Sequence, residues 1–327
     1  MKHNDSSVET GRRQYYSSSQ GPFYNANNIF MFYGGGERGN TVENIIDRLR
    51  TDDQIIHVHG ERGSGKTMVS LVISDRLKHR YNIIRYDVPE LSASLLLRHL
   101  LIELCPQKAS LISAQQARLG VDQPDIDVAI NCIAGKLSLN GRTPVSKPYV
   151  LIVDSVGEVD DGAMQVLTRL AGLRVGGKPV MQSVVFHRLS AEAARNVIPP
   201  HDMVQSGNHF WLRRLSLAEI NEYLRHHMLL FDFNRRDLFT REMAYFIADR
   251  SEGVFRSINT LARNAFTIAN LEDADKLSMS HLLMAGLPPR HEPASEPGFL
   301  YRHRGQVIAL LGLGVVASLA VAVFLFQ

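Results

Sequence analysis

Apolar residues fall into three successive rhythms along this chain. Residues 1–24 carry few of them and hold a Ser/Gln/Gly run, which predicts a loosely attached, disordered tail. From Asn28 the text becomes foldable. IFMFYGGG is followed by TVENIIDRLR, in which Val42, Ile45, Ile46 and Leu49 share one helical face. Short apolar runs then alternate with helical stretches. Residues 54–59 (QIIHVH), 82–87 (NIIRYD), 150–154, 180–187 and 209–212 read as strands, with helices over 66 to about 80 and over 92–104. Strands interleaved with helices predict a parallel sheet between helical layers. Residues 106–148 hold a helix around 127–137 and then a turn-rich GRTPVSKP.

After Ser216 the strands stop. LAEINEYLRHHM, TREMAYFIADRS, RSINTLARNAFTIANL and SMSHLLMAG predict an all-helical subdomain, and the Pro-rich PPRHEPASEPG reads as a linker. The expected organisation is therefore a tail (1–24), an α/β core (25–215), a helical subdomain (216–287), a linker (288–304) and a terminal apolar helix (305–326).

That last segment changes the picture. QVIALLGLGVVASLAVAVFLF, residues 306–326, contains no charged residue and as a helix spans roughly 30 Å, the thickness of a bilayer core. Arg302, His303 and Arg304 precede it, so the positive-inside rule expects a single-pass C-terminal anchor with the rest of the chain in the cytoplasm. Gly314, Ser318 and Ala322, four apart, put small residues on one face, which suits close helix packing, although such residues are common in anchors anyway.

Charge adds little. Lys plus Arg number 36 against 33 for Asp plus Glu, so no specific nucleic-acid partner is expected from the whole chain. Cys105 and Cys132 are the only cysteines and lack any CxxC or Cys/His metal spacing, which reads as two reduced thiols.

The chemistry concentrates in residues 60–67, GERGSGKT, a full match to the Gly-x-x-x-x-Gly-Lys-Ser/Thr phosphate loop. Gly60, Gly63 and Gly65 let the backbone curl so that its N–H groups cradle phosphate oxygens, and the following helix presents its positive end to the same anion. Lys66 is expected on the β- and γ-phosphates and the Thr67 hydroxyl on Mg²⁺. Glu61, Arg62, Ser64 and Met68 complete the nucleotide-binding stretch. His57 and His59, just upstream, read as sheet-packing residues.

A second acid comes from VLIVDSVGEVD. Asp154 ends a strand expected beside the phosphate-loop strand, and would hold Mg²⁺ through water. Many ATPases place a water-polarising glutamate immediately after this acid; here Ser155 follows, and a hydroxyl is no general base near neutral pH. Glu158 is the nearest glutamate, with Asp160 and Asp161 beyond it, and the plain reading of all three is solvated loop acids. His187, where VVFH ends, is a candidate for touching the γ-phosphate or the lytic water, with Arg188 as the alternative. Arg256, opening a helix of the later subdomain, is placed to fold over the phosphates. Arg195 is a candidate finger toward a neighbouring subunit.

Taken together, FYNANNIFMFY, the strand–GERGSGKT–helix unit, LLRHLLIEL, and the run from RRLSLAEINEYLRHHM to SEGVFRSINTLARNAFTIA resemble the AAA+ ATPases of the ExeA/GspA type, including the related ATPase of MSHA-pilus biogenesis. The resemblance covers about residues 22–287. It implies a P-loop core with a parallel five-stranded sheet and a helical lid, ATP and Mg²⁺ as ligands, ATP-dependent homo-oligomers, and service to a secretion or pilus machine at the bacterial inner membrane. Within it residues 60–67 correspond to Walker A, Asp154 to the Walker B acid and Arg256 to the sensor arginine of the lid; His187 corresponds to the other sensor by spacing alone. Ser155 departs from the family's Asp–Glu pair. Two readings follow, a membrane-anchored ATPase or an ATP-binding switch that hydrolyses little; a P-loop small-molecule kinase suits the lid and the anchor less well.

Overall fold

The strand over Tyr149–Val156 (β3) shows how this sequence makes its layers. Val150 and Ile152 point to one face and Leu151 and Val153 to the other, and all four are buried, as expected of a strand covered on both sides. The computed structural model describes residues 22–23, 28–51, 55–109, 126–141, 147–175, 177–195, 207–231, 238–274 and 276–286.

Four more strands flank β3: β1 (Ile56–Glu61), β2 (Asn82–Asp87), β4 (Met181–Leu189) and β5 (His209–Trp211). All pair in parallel, in the order β2-β3-β4-β1-β5. The expected five-stranded parallel sheet is thus present, with one correction. The Asp154 strand is not beside the phosphate-loop strand, because β4 lies between them. One face is covered by α1 (Arg38–Thr51) and α2 (Lys66–Leu77), which bring Val42, Ile45, Val69 and Ile73 onto Ile56, Val58 and Phe186. The other is covered by α3 (Ala93–Leu104), α4 (Ile126–Gly141) and α5 (Asp161–Ala171), with Leu97, Ile133 and Leu167 packed on Leu151 and Val153. Ser92 caps α3 by accepting from the Leu95 N–H.

A short helix (α6, Ala191–Arg195) precedes β5. Beyond it come α7 (Leu217–Leu230), α8 (Arg241–Ser251), α9 (Phe255–Leu271) and α10 (Met279–Gly286). Ser216 and Glu219 form a capping box that starts α7. These helices bury Leu224, Ile247, Ile258 and Phe266 in a core of their own. Phe23, assigned to the tail from sequence, belongs to that core: it is 3% exposed and stacks on His227 with ring centroids 4.9 Å apart. The chain divides into one unit ending at Ala285 and a second, Gly286–Gln327. The expected linker and anchor, with Gly314, Ser318 and Ala322, lie outside the described residues, as does most of the tail; among the described residues no helix is long and apolar enough to cross a membrane.

One sheet face departs from the aliphatic pattern. The register aligns His57 with His209 and His59 with both His187 and Trp211, so four imidazoles and an indole stack across β4, β1 and β5. His57 Nδ1 lies 2.8 Å from His187 Nε2, and His59 Nε2 lies 2.9 Å from His209 Nδ1. Burial, aided by the neighbouring rings, lowers His57 and His59 to about 4 and His187 to about 3. The unfolded chain takes up these protons near pH 6.5, so the rings' contribution to stability is full above that value and is lost as pH falls toward 4. We expect the unfolding free energy from urea titration, and with it the midpoint, to drop between pH 7 and pH 5, the free energy by up to about 2 kcal/mol per ring. A midpoint unchanged over that range would contradict the stacked, neutral arrangement.

Candidate functional site

The phosphate loop takes its shape from two glycines. Gly63 and Gly65 have φ of +90° and +96°, a region L side chains avoid, and Gly65 is the N-cap residue of α2, without a side-chain cap of its own. The helix N–H groups that a cap would occupy are left to an anion. Lys66, 6% exposed, folds back so that its Nζ donates to the carbonyls of Gly60 (2.7 Å) and Glu61 (2.8 Å). Burial lowers its pKa to about 8; Asp154 and Glu61 oppose that shift, and Arg188 and Arg256 add to it.

Asp154 sits behind the loop, 1% exposed. Its Oδ2 lies 3.1 Å from Ser70 Oγ and 3.7 Å from an Arg85 nitrogen, and the single Ser70 hydroxyl proton is shared between Asp154 and the Thr67 carbonyl, 2.9 Å from Oγ. Asp154 is therefore tied through Ser70 to α2, one turn after Thr67. The pairing of β3 with β4 shifts by one residue between Val153 and Val156, a bulge that begins at Asp154 on that side while Asp154 stays paired with Asp87 of β2 on the other. Of Ser155 and Glu158 only the backbone is described: both are on strands, and Glu158 pairs with Glu90 in a short two-stranded ladder. Asp160 is no free base, since its carboxylate caps α5 by accepting from the Ala163 N–H.

A cavity of about 710 Å³ opens over the loop. Arg38, Arg62, Lys66, Arg188, Arg256 and Arg263 line it, and among the described residues no carboxylate does. The rest of its wall is largely apolar and aromatic, with Met31, Phe32, Tyr33, Tyr223, His227 and Phe255. Thr67 and Met68 reach the cavity as well. Arg256 arrives because α9 begins against the loop: its backbone N–H donates to the Gly63 carbonyl at 3.2 Å. Arg38, which the sequence reading did not single out, is 2% exposed. It donates to the carbonyls of Ser64 (3.2 Å) and Arg213 (2.6 Å), and its guanidinium lies 4.4 Å from the centre of the Phe255 ring. The only sequence signal for it is an arginine between a glycine run and a helix.

His187 is placed differently from the expectation. Its ring is engaged by His57 in the histidine stack and is not among the cavity's lining groups, whereas Arg188 is. Successive residues of a strand point to opposite sides, so the two cannot both face the loop. Arg195 ends α6, and its side chain is outside the described set.

The strand order, the glycine loop and the helical subdomain define the fold of the AAA+ P-loop ATPases. Solved structures share it. The chain matches Drosophila ORC bound to DNA with a TM-score of 0.51 at 14% identity, covering 87% of this chain and 67% of that one. It matches Cdc6p from Pyrobaculum aerophilum at 0.50 and 10%, covering 79% and 70%. The Thermotoga maritima RuvB Holliday junction branch migration motor gives 0.47 at 16%, over 77% and 68%. At these identities the likeness to the ORC and Cdc6p structures is one of fold. No family model matches the sequence, and no curated protein does.

Two outcomes test the cavity as an anion site. A Cβ on Gly63 would stand 2.7 Å from Arg256 Cβ and hold φ at +90°, so Gly63→Ala should weaken binding of inorganic triphosphate, measured by calorimetry, about tenfold or more. Because Lys66 sheds its proton near pH 8, wild-type affinity should be level below pH 8 and fall by as much as about tenfold per unit above it. A flat profile to pH 9.5 would remove Lys66 from the site.

Proposed function

We propose that this chain binds Mg-ATP in the cavity over the phosphate loop and hydrolyses it, as a membrane-anchored assembly ATPase of the ExeA/GspA kind. The observation that carries the nucleotide reading is the cavity itself: among the described residues, six cations and no carboxylate around a left-handed glycine loop, continuous with an aromatic wall. A nucleoside polyphosphate has that division of charge along its length.

In this reading the β- and γ-phosphate oxygens replace the Gly60 and Glu61 carbonyls as partners of Lys66. The residues also fit a magnesium ion. Thr67 would hold it directly and Asp154, tied to the same helix, through water, which suits an ion that takes few protein ligands and keeps several waters. When bound, the ion would neutralise charge on the phosphates. Arg256 and Arg188, which line the cavity, stabilise the negative charge at the γ-phosphoryl group as its bond to the bridging oxygen breaks and water takes its place.

The finer assignment rests on the sequence resemblance over residues 22–287 and on the uncharged segment 306–326. It makes the protein a homo-oligomer tethered to the bacterial inner membrane by residues 305–326, with its ATPase domain in the cytoplasm, that drives assembly of a secretion or pilus-type machine through an envelope partner.

A second reading, an ATP-binding switch with little turnover, is favoured by the acids near Asp154. Ser155 stands at the glutamate position and Asp160 is used as a helix cap. Steady-state phosphate release by the full chain, with Lys66→Ala as the blank, separates the two. The ATPase reading expects release at least about tenfold above the blank. Release equal to the blank, with ATP still bound by the wild type, would leave the switch.

A further inference from the structure

Glu61 carries a carboxylate into the phosphate loop at 6% exposure, although the loop motif places no demand on that position. A charge so buried must be paired. Arg214 supplies the partner in two parallel bonds, Nε to Oε1 at 2.6 Å and Nη2 to Oε2 at 2.8 Å. The remaining arm, Nη1, pairs with Glu252. Arg214 lies on the connector between β5 and α7, and Glu252, at φ +50°, ends α8. The same connector touches the loop after α8 once more, where the Leu215 N–H donates to the Gly253 carbonyl at 2.9 Å. Three residues past Gly253, the Arg256 N–H bonds Gly63. The phosphate loop is therefore joined to the start of α9 at two points, Glu61 through Arg214 and Gly63 directly.

We infer that Arg214 is a positioning residue: by holding Glu61 and Glu252 together it fixes the start of α9 against the phosphate loop, and so sets where Arg256 meets the γ-phosphate. Arg214 acts through Arg256 and is not among the cavity's lining groups. An anion entering the loop then meets a lid that is already in register, and movement of α9 is transmitted to the loop backbone through the Arg214 guanidinium as well as through the direct bond to Gly63. The inference rests on the ATP reading only for its binding arm.

The test uses the full chain and two readouts. Amide exchange in the free protein reports the bond from the Arg256 N–H to Gly63 without any ligand; Arg214→Ala should speed it about tenfold, and Glu252→Gln, which spares the buried pair, by a smaller factor. Binding of a fluorescent ATP analogue should weaken about tenfold in Arg256→Ala and several-fold in Arg214→Ala, and the double variant should bind no worse than Arg256→Ala alone. Glu252→Gln also guards against misfolding, since it should lower analogue affinity in the same direction while the melting curve stays at the wild-type position. Arg256 amide exchange as slow in Arg214→Ala as in the wild type overturns the inference, and so do losses of affinity that multiply in the double variant. Wild-type protein that binds no analogue, but shows the exchange effect, overturns the ATP reading and leaves the clamp standing.

Discussion

A buried ammonium sets the terms for the rest of this structure. Lys66 sits where water barely reaches, and in the protein alone its proton is held by two loop carbonyls, with Asp154 behind. Those are partial charges facing a full one, and Arg188 and Arg256 stand nearby on the same side of the balance. The site therefore has a surplus of positive charge in a medium that screens it poorly. The positive φ values of Gly63 and Gly65, the uncapped start of α2 and the burial of Arg38 all maintain that surplus. A polyanion is the chemical species that relieves it.

Much of this was legible along the chain because it is local. A strand covered on both faces must be apolar at every position, so 150–153 announces itself; a loop with positive φ must use glycine, so 60–67 does too. Phe23 was not legible, because one aromatic in a polar stretch shows no period, and its burial comes from Tyr223, His227, Phe239 and Phe266, some two hundred residues later. Arg38 was missed for the same reason, its partners being Ser64, Arg213 and Phe255. Between the two candidates His187 and Arg188 the sequence could not choose, because a single residue in a strand is the whole difference between one face of the sheet and the other, and it is Arg188 that lines the cavity. The position of β4 between β1 and β3 is a fact of topology that no local pattern carries.

The likeness to ORC and Cdc6p structures and the resemblance of motifs to the ExeA/GspA type meet at the level of fold. What distinguishes this chain lies in a few atoms around Asp154. The acid is retained, buried and tied to α2, while the residue after it is a serine and the strand bulges at that point. In the proposed ATP reading the binding half of the machinery stands beside a changed hydrolytic half, so turnover, rather than affinity, separates an ATPase from a switch.

The histidine stack constrains the gene as well as the molecule. In each hydrogen-bonded pair, His57 with His187 and His59 with His209, an Nδ1 meets an Nε2 and one ring must donate while the other accepts, so the two rings of a pair must hold the same tautomer, both Nδ1–H or both Nε2–H. Replacing one member leaves a buried ring nitrogen without its partner, while replacing both by apolar rings of similar size leaves none. These four codons, scattered over more than a hundred and fifty positions, are thus expected to drift in pairs, and sequences of close kin should show the pairs kept or lost together.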